Sequence, residues 1–485
     1  MRIEDLAAYE IISRQKIHDL RSEGYLLRHK KSGARIALLS NEDENKVFYI
    51  GFKTPPADST GVAHILEHSV LEGSKEFPVK DPFIELVKGS MNTFLNAMTY
   101  PDKTMYPVAS CNDKDFANLM HVYMDAVFYP DIYKQPNIFY QEGWHYEMEN
   151  ASDDLKLNGV VYNEMKGAFS SPDDVLDREI VRNLFPDTIY ANESGGDPDV
   201  IPNLTYEQFL DFHRKYYHPV NSYIYLYGNM DMVERLNWMD EHYLSHFEKI
   251  DVEANISLQE PFAAPREAVK PYSITENEPL EHNTYLTCSM TAGDVLNREE
   301  YIAFQILDYA LCSSQGAPLK QALLDAGIGE DIYSDYDNGT RQPYFSIVAK
   351  NADASRKEEF LRIIDETLEK LVAEGVTDTT ATVNPIMFVA STAFILGLGL
   401  FLIRIYPYII RLLARIGRRV WSPAQYVSLT NIGRSSTGRE RFLMLFLALT
   451  VSLGVFFANT ARALNRNAEE SVAYGVGCDA VLTEQ

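Results

Sequence analysis

Near Val376 the chain changes character, and no single fold accommodates both sides of the change. No lysine occurs after Lys370 and no histidine after His282. From Val376 onward there are ten arginines and six acids, a net of +4, whereas the residues before it net -29. Two parts of one chain with opposite sign and different basic residues read as separate modules. The small polar stretch from Val376 to Thr382 is the boundary the sequence predicts. With 485 residues there is room for two to four domains.

Beyond the break the chain is rich in apolar runs. Pro385 to Ile403 carries no charged residue, and a second run extends from Phe442 to Phe457. The first is near the length that crosses a hydrocarbon core. Between them lie Arg404, Arg411, Arg415, Arg418, Arg419, Arg434, Arg439 and Arg441 against Glu440 alone. A basic loop between two apolar runs predicts spans at about 385–405 and 442–460, with the loop cytoplasmic. Two buried core helices are the competing reading. The stretch from Asn384 to Asn467 resembles part of an FtsX-type ABC transporter permease. Two spans are too few for a complete one, so the likeness implies a fragment. The expected localisation is a membrane.

The acidic part before the break excludes several functions. The whole chain's net charge of -25 repels phosphate backbones, so no nucleic-acid partner is expected. Cys111, Cys288, Cys312 and Cys478 have no CxxC spacing and demand no oxidising compartment. The N-terminus lacks a basic stretch followed by an apolar core, so no signal peptide is expected. GxSxG and GxxxxGK[ST] are both absent, which removes the common serine-nucleophile and phosphate-loop chemistries.

The order of elements reads as α+β. Gly24–His29 and Ala34–Ser40 read as strands around the turn Lys31-Ser32-Gly33, and Lys46–Phe52 as a third. Ser59-Thr60-Gly61 offers capping chemistry for a helix over Val62–Leu71. Asp113–Val127 reads as a helix and Ser222–Gly228 as a strand. Antiparallel hairpins are expected at the start.

That first helix holds the sharpest local signal, His64-Ile65-Leu66-Glu67-His68. Residues four apart share a helix face, so both imidazoles project together with Glu67 beside them. This is HxxEH, the inverzincin order. Two imidazoles suit zinc (Zn2+), and an adjacent carboxylate can take a proton from an activated water. A catalytic zinc needs a third protein ligand. The spacing alone equally describes a helix with two surface histidines.

Two further segments favour the metal. Glu164, in Gly159-Val160-Val161-Tyr162-Asn163-Glu164, sits in an apolar helical context where an unpaired carboxylate is costly and a metal would satisfy it. Ser90 to Thr104 alternates like a polar, aromatic edge strand able to add a peptide. Tyr162 and Asn163 suit packing or a supporting position. His145 suits a core or strand-pairing role, and Asp153-Asp154 and Asp173-Asp174 read as solvated loops.

HILEH (64–68), MNTFLNAMTYPDKT (91–104), QEGWHYEME (141–149) and GVVYNEMKGAFSSPDD (159–174) together resemble the pitrilysin/insulinase (M16) zinc peptidases. The branch with presequence protease and falcilysin is the nearest. The likeness covers nearly all of residues 1–375. It implies zinc ligation by His64, His68 and Glu164, a general base at Glu67, and Asn96 and Ala97 on a substrate-pairing edge strand. It further implies peptide substrates and a peptidase part that is cytoplasmic or in an organelle matrix. Residues 1–255 then form the zinc-binding domain and 270–375 a second related domain that stops short, exposing apolar surface. The family's other half, with an Arg and a Tyr that hold substrate, has no counterpart here. A separate second half or a homodimer is one way to supply it. A catalytically inactive peptide-binding module and a membrane-transport fusion are the alternatives.

Overall fold

The computed structural model describes residues 2–148, 150–275, 281–314 and 316–374, with a few positions between 408 and 426. Residues Met1–Thr367 fall in one compact unit, to which most of this description applies. The chain opens with β1 (Tyr9–Ile17), β2 (Ser22–His29), β3 (Arg35–Ser40) and β4 (Lys46–Lys53). Helices α1 (Val62–Val70) and α2 (Pro82–Gly89) precede β5 (Asn92–Leu95), β6 (Met98–Thr99) and β7 (Lys103–Ser110). Next come α3 (Asp113–Phe128), α4 (Pro136–Glu142), the hairpin of β8 (His145–Glu147) and β9 (Lys156–Asn158), and α5 (Val160–Ala168). After these are α6 (Pro172–Leu184), α7 (Tyr206–Tyr216), β10 (Ser222–Gly228) and α8 (Met232–His242). The remainder is β11 (Thr284–Thr291), α9 (Arg298–Asp308), α10 (Pro318–Asp325), β12 (Asp331–Asp337), β13 (Tyr344–Ala352) and α11 (Lys357–Glu374).

The main sheet runs β1-β2-β3-β10-β4-β7-β5, with β6 also beside β7. β10 enters last and lies in the middle, parallel to β3 and antiparallel to β4. Its sequence explains the placement. Ser222, Ile224, Leu226 and Gly228 are buried while Tyr223, Tyr225 and Tyr227 are half-exposed, a period of two. A second, antiparallel sheet runs β11-β13-β12.

Helix α3 shows what holds the first sheet down. Asn112 caps it by accepting from the Lys114 and Asp115 amides. Phe116, Leu119, Met120, Tyr123, Met124 and Val127 recur at helical spacing, and each is 0% exposed. They pack against β4 and β7. A large apolar side chain contributes about 1.5–3 kcal/mol when fully buried, so this stripe alone anchors the layer.

Several expectations need correction. Of the expected capping stretch Ser59-Thr60-Gly61 the N-cap is Gly61, which makes no side-chain cap, and the Thr60 hydroxyl donates to Asp58 instead. Strand β1 escaped the sequence reading because its seven interior residues are all exposed, which leaves no alternation to see. The expected continuous strand over Ser90–Thr104 is broken, with Asn96 and Ala97 in the gap between β5 and β6. Asp173 and Asp174 are not loop residues but lie in the first turn of α6, behind the Ser171 cap.

The expected membrane placement is also corrected. Among the described residues no helix is long and apolar enough to cross a membrane. The longest described helix, α11, buries the stripe Phe360, Ile363 and Ile364 and carries charges such as Glu358, Glu359, Arg362, Asp365 and Glu366 along its length, a pattern for one packed face. The expected spans at 385–405 and 442–460 lie outside the described residues. The α+β expectation for residues 1–375 agrees with the observed sheets and helices. Helix α9 buries no side chain and leaves Ile302, Ile306 and Leu307 exposed.

Candidate metal centre

Helix α1 starts at a residue that must be glycine. Gly61 has φ +68°, and a Cβ there would meet the Gly195 oxygen and the Gly196 Cα at 2.7 Å each. The helix N-terminus is thereby pressed against the 195–196 loop. One turn on, His64 Nδ1 lies 3.0 Å from the Gly195 carbonyl oxygen. A carbonyl only accepts, so Nδ1 carries the proton and Nε2 presents a lone pair.

His68 repeats the arrangement with another support. Its Nδ1 is 3.3 Å from Glu142 Oε2 at the end of α4. The Glu142 side chain is only 5% exposed and also accepts from Gln141 Nε2 at 2.8 Å. The two imidazole rings are 5.0 Å apart. Both Nε2 atoms turn towards Glu164 Oε2 on α5, at 3.9 Å from His64 and 3.7 Å from His68. Donor atoms about 2.0–2.1 Å from a tetrahedral zinc sit about 3.4 Å from one another. The observed separations to Glu164 are longer than that by up to about half an ångström, the three donor atoms lie within 4.8 Å of one another, and the donor set of two imidazoles and one carboxylate suits zinc.

Electrostatics favour a cation here. Burial works against protonation of His68, but the Glu142 hydrogen bond and the charges of Glu67, Glu142 and Glu164 outweigh it and raise its pKa. Glu72, one turn beyond His68, is pushed up to about 7 by burial and by the charges of Glu142 and Asp81. Buried Glu67 lines the same cleft, of about 880 Å³.

The cleft's other wall is the segment from Asn96 to Tyr100. Its path is set by inward bonds. The Asn96 carbonyl accepts from the Tyr123 hydroxyl at 3.1 Å, and the Asn96 amide donates to Pro107 O at 3.2 Å. The Ala97 amide donates to Asn96 Oδ1 at 3.0 Å.

Residues from α1, α5 and the β5–β6 gap thus meet at one cleft. One premise fails, because the Glu164 side chain is 54% exposed and does not stand in apolar surroundings. Tyr162 is packed in the core, and Asn163 donates to Asn158 at 2.6 Å. His145 pairs with Asn158 in the β8–β9 hairpin. Sequence reasoning missed Glu142 and Gly195. Glu142 lies in the QEGWHYEME motif, but no local pattern shows its role or that of Gly195, since they meet their histidines across 74 and 131 residues respectively. A second constellation, Ser32 Oγ at 2.7 Å from His29 Nδ1 and Asp240 Oδ1 at 2.9 Å from His29 Nε2, imitates a catalytic triad. Ser32 is 0% exposed, so no substrate reaches it and the trio locks the β2–β3 turn.

Comparison with known proteins gives the same family for both sheets. Residues 48–155 match the model of insulinase (peptidase family M16), and residues 203–380 match the peptidase M16 inactive domain. Protein HypA of Clostridium perfringens is 51% identical over 384 residues, covering 79% of this chain and 40% of that protein. Presequence protease 1, chloroplastic/mitochondrial, of Arabidopsis thaliana is 44% identical over 386 residues, covering 78% and 36%. This chain therefore spans about two fifths of these relatives. Among solved structures, pitrilysin aligns with TM-score 0.54 at 17% identity, over 77% of this chain and 39% of that one. A protease from Helicobacter pylori aligns with TM-score 0.54 at 16% identity, over 77% and 85%. These two likenesses speak to the fold alone. The permease likeness of residues 384–467 finds no support in these comparisons, and the family matches end at residue 380.

Proposed function

We propose, from the premise that this chain belongs to the insulinase (M16) peptidase family, that its cleft hydrolyses peptide bonds with His64, His68 and Glu164 holding zinc. Family membership supports a peptidase-type function; the peptide substrates, the metal, the ligand roles and the general base belong to this proposal. One observation supports it above the others. Both imidazoles have Nδ1 engaged by an acceptor behind them and Nε2 turned to the same Glu164 oxygen. The chemistry that zinc supplies in such a site is Lewis acidity towards a carbonyl oxygen and towards water.

The chain's own residues do the rest. Gly195 and Glu142 hold the imidazoles in one tautomer and orientation. A Glu67 carboxylate oxygen takes the proton of the attacking water and delivers it to the leaving amide nitrogen. The Asn96–Tyr100 segment, its backbone fixed by Tyr123 and Pro107, forms the wall along which an extended peptide lies, with Asn96 and Ala97 nearest the proposed substrate path.

The test is hydrolysis of a quenched fluorescent peptide by the full chain, with zinc quantified in the same sample. Turnover that is lost in Glu67→Gln while zinc remains supports the reading, and absence of zinc from the wild type overturns the ligand assignment. A second reading, peptide capture without turnover, is favoured by the match of residues 203–380 to an inactive domain. Bound zinc without turnover selects it.

A further inference from the structure

The Tyr190 hydroxyl ties the cleft wall and the loop behind the first histidine to the second sheet. The wall ends in the β6–β7 turn at Asp102, a residue buried at 6% exposure. Asp102 Oδ2 accepts from the Tyr190 hydroxyl at 2.7 Å, and Oδ1 accepts from Lys103 Nζ at 3.2 Å. Tyr190 is 3% exposed. Its oxygen also accepts from the Arg341 backbone amide at 2.7 Å. Arg341 lies in the β12–β13 turn, where Lys103 also reaches the Gly339 carbonyl. The Arg341 carbonyl accepts from the Val295 amide at 3.1 Å, and its guanidinium pairs with Asp294 at 2.7 Å.

From Tyr190 the chain runs directly to the metal-site support. The Asn192 side chain donates to Pro56 O at 3.2 Å, and the Glu193 amide donates to Ser59 Oγ at 3.0 Å. Gly195, five residues after Tyr190, accepts from His64. Burial and the Asp102 charge push the Tyr190 phenol upward, so it keeps its proton and stays a donor. The series from Arg341 N–H through Tyr190 O–H to the Asp102 carboxylate is a polarised chain in which each bond strengthens the next.

We infer that Tyr190 is a positioning residue, through whose hydroxyl the second sheet holds both the Asp102 end of the cleft wall and the His64-supporting loop. This rests on the proposed peptidase reading of the cleft and assigns the inactive-type domain a part in it. The domain contributes no ligand, yet its β12–β13 turn fixes where the wall and His64 stand.

The test compares Tyr190→Phe with Tyr9→Phe in the full chain. Tyr9 makes an equally buried hydroxyl bond, to Leu236 O at 2.7 Å, away from the cleft. Hydrogen–deuterium exchange is read on metal-free protein, zinc affinity by competition with a chromophoric chelator, and peptide hydrolysis as separate KM and kcat. Tyr190→Phe is expected to raise exchange at residues 61–68 and 97–104 and to weaken zinc binding about tenfold, the scale of one buried hydrogen bond. KM should rise more than kcat falls. Tyr9→Phe should change none of these. Equal loosening in both variants, or in neither, overturns the inference. If Tyr190→Phe does not fold, Asp102→Asn weakens the same bond and carries the same expectations. A wild type without turnover, combined with the expected exchange pattern, would sink the peptidase reading and leave the coupling standing.

Discussion

Replacing Gly61 by alanine tests whether the helix–loop contact sets the proposed metal site. The residue has φ +68°, a region that costs an L side chain roughly 1–2 kcal/mol. The added Cβ would also lie 2.7 Å from the Gly195 oxygen and from the Gly196 Cα. Both are backbone atoms and cannot rotate away, so the overpacking cost is about 1–3 kcal/mol. The sum, about 2–5 kcal/mol, is a large share of an ordinary stability of about 5–15 kcal/mol. Relief comes only by moving Gly195, the acceptor that orients His64 at 3.0 Å. The variant is therefore expected to lose stability in urea and also to bind zinc more weakly, by about tenfold or more. Urea unfolding followed by fluorescence reads the first, and chelator competition reads the second. A variant with wild-type stability and zinc affinity would refute the argument. A destabilised variant with unchanged affinity would show that Gly195 does not orient His64.

Glu142→Ala removes the acceptor behind His68 and leaves a part-buried N–H without it, so zinc affinity should fall about 10–100-fold, measured by the same competition. His213 supplies the pH prediction. Burial lowers its pKa to about 4, and it stays neutral between the Tyr133 hydroxyl and the Val127 carbonyl. The unfolded state takes up this proton near pH 6.5 and the folded state does not, so the contribution is complete above about 6.5 and is lost as the pH falls towards 4. The full effect is about 3 kcal/mol. Urea unfolding between pH 7 and 4.5 should show a shallower decline for His213→Asn than for the wild type; parallel declines would contradict it.

The sequence alone pointed to the pair His64 and His68, because helical spacing is a local property that needs no knowledge of the rest of the fold. The strands β2, β3, β4 and β10 were legible for the same reason, as short-range alternation over a half-buried sheet. β1 was invisible because an edge strand exposed along its interior has no such pattern. Glu164 was found through its motif, although the reasoning from apolar surroundings was wrong for a carboxylate that stands half in solvent. The break at Asn96 and Ala97 was not legible, since it depends on Tyr123 and Pro107 pulling the backbone inward.

Tertiary structure alone decided how the site is aimed. That Gly195 and Glu142 stand behind the two imidazoles depends on contacts across 131 and 74 residues, which no local pattern encodes. The same holds for the Tyr190 hydroxyl between Asp102 and Arg341, spanning 88 and 151 residues. Residue type and spacing determine which atoms are able to coordinate and on which face they lie. Which nitrogen is presented, and in which direction, is settled only when packing brings distant acceptors within about 3 Å, because a hydrogen bond is a short-range, directional contact.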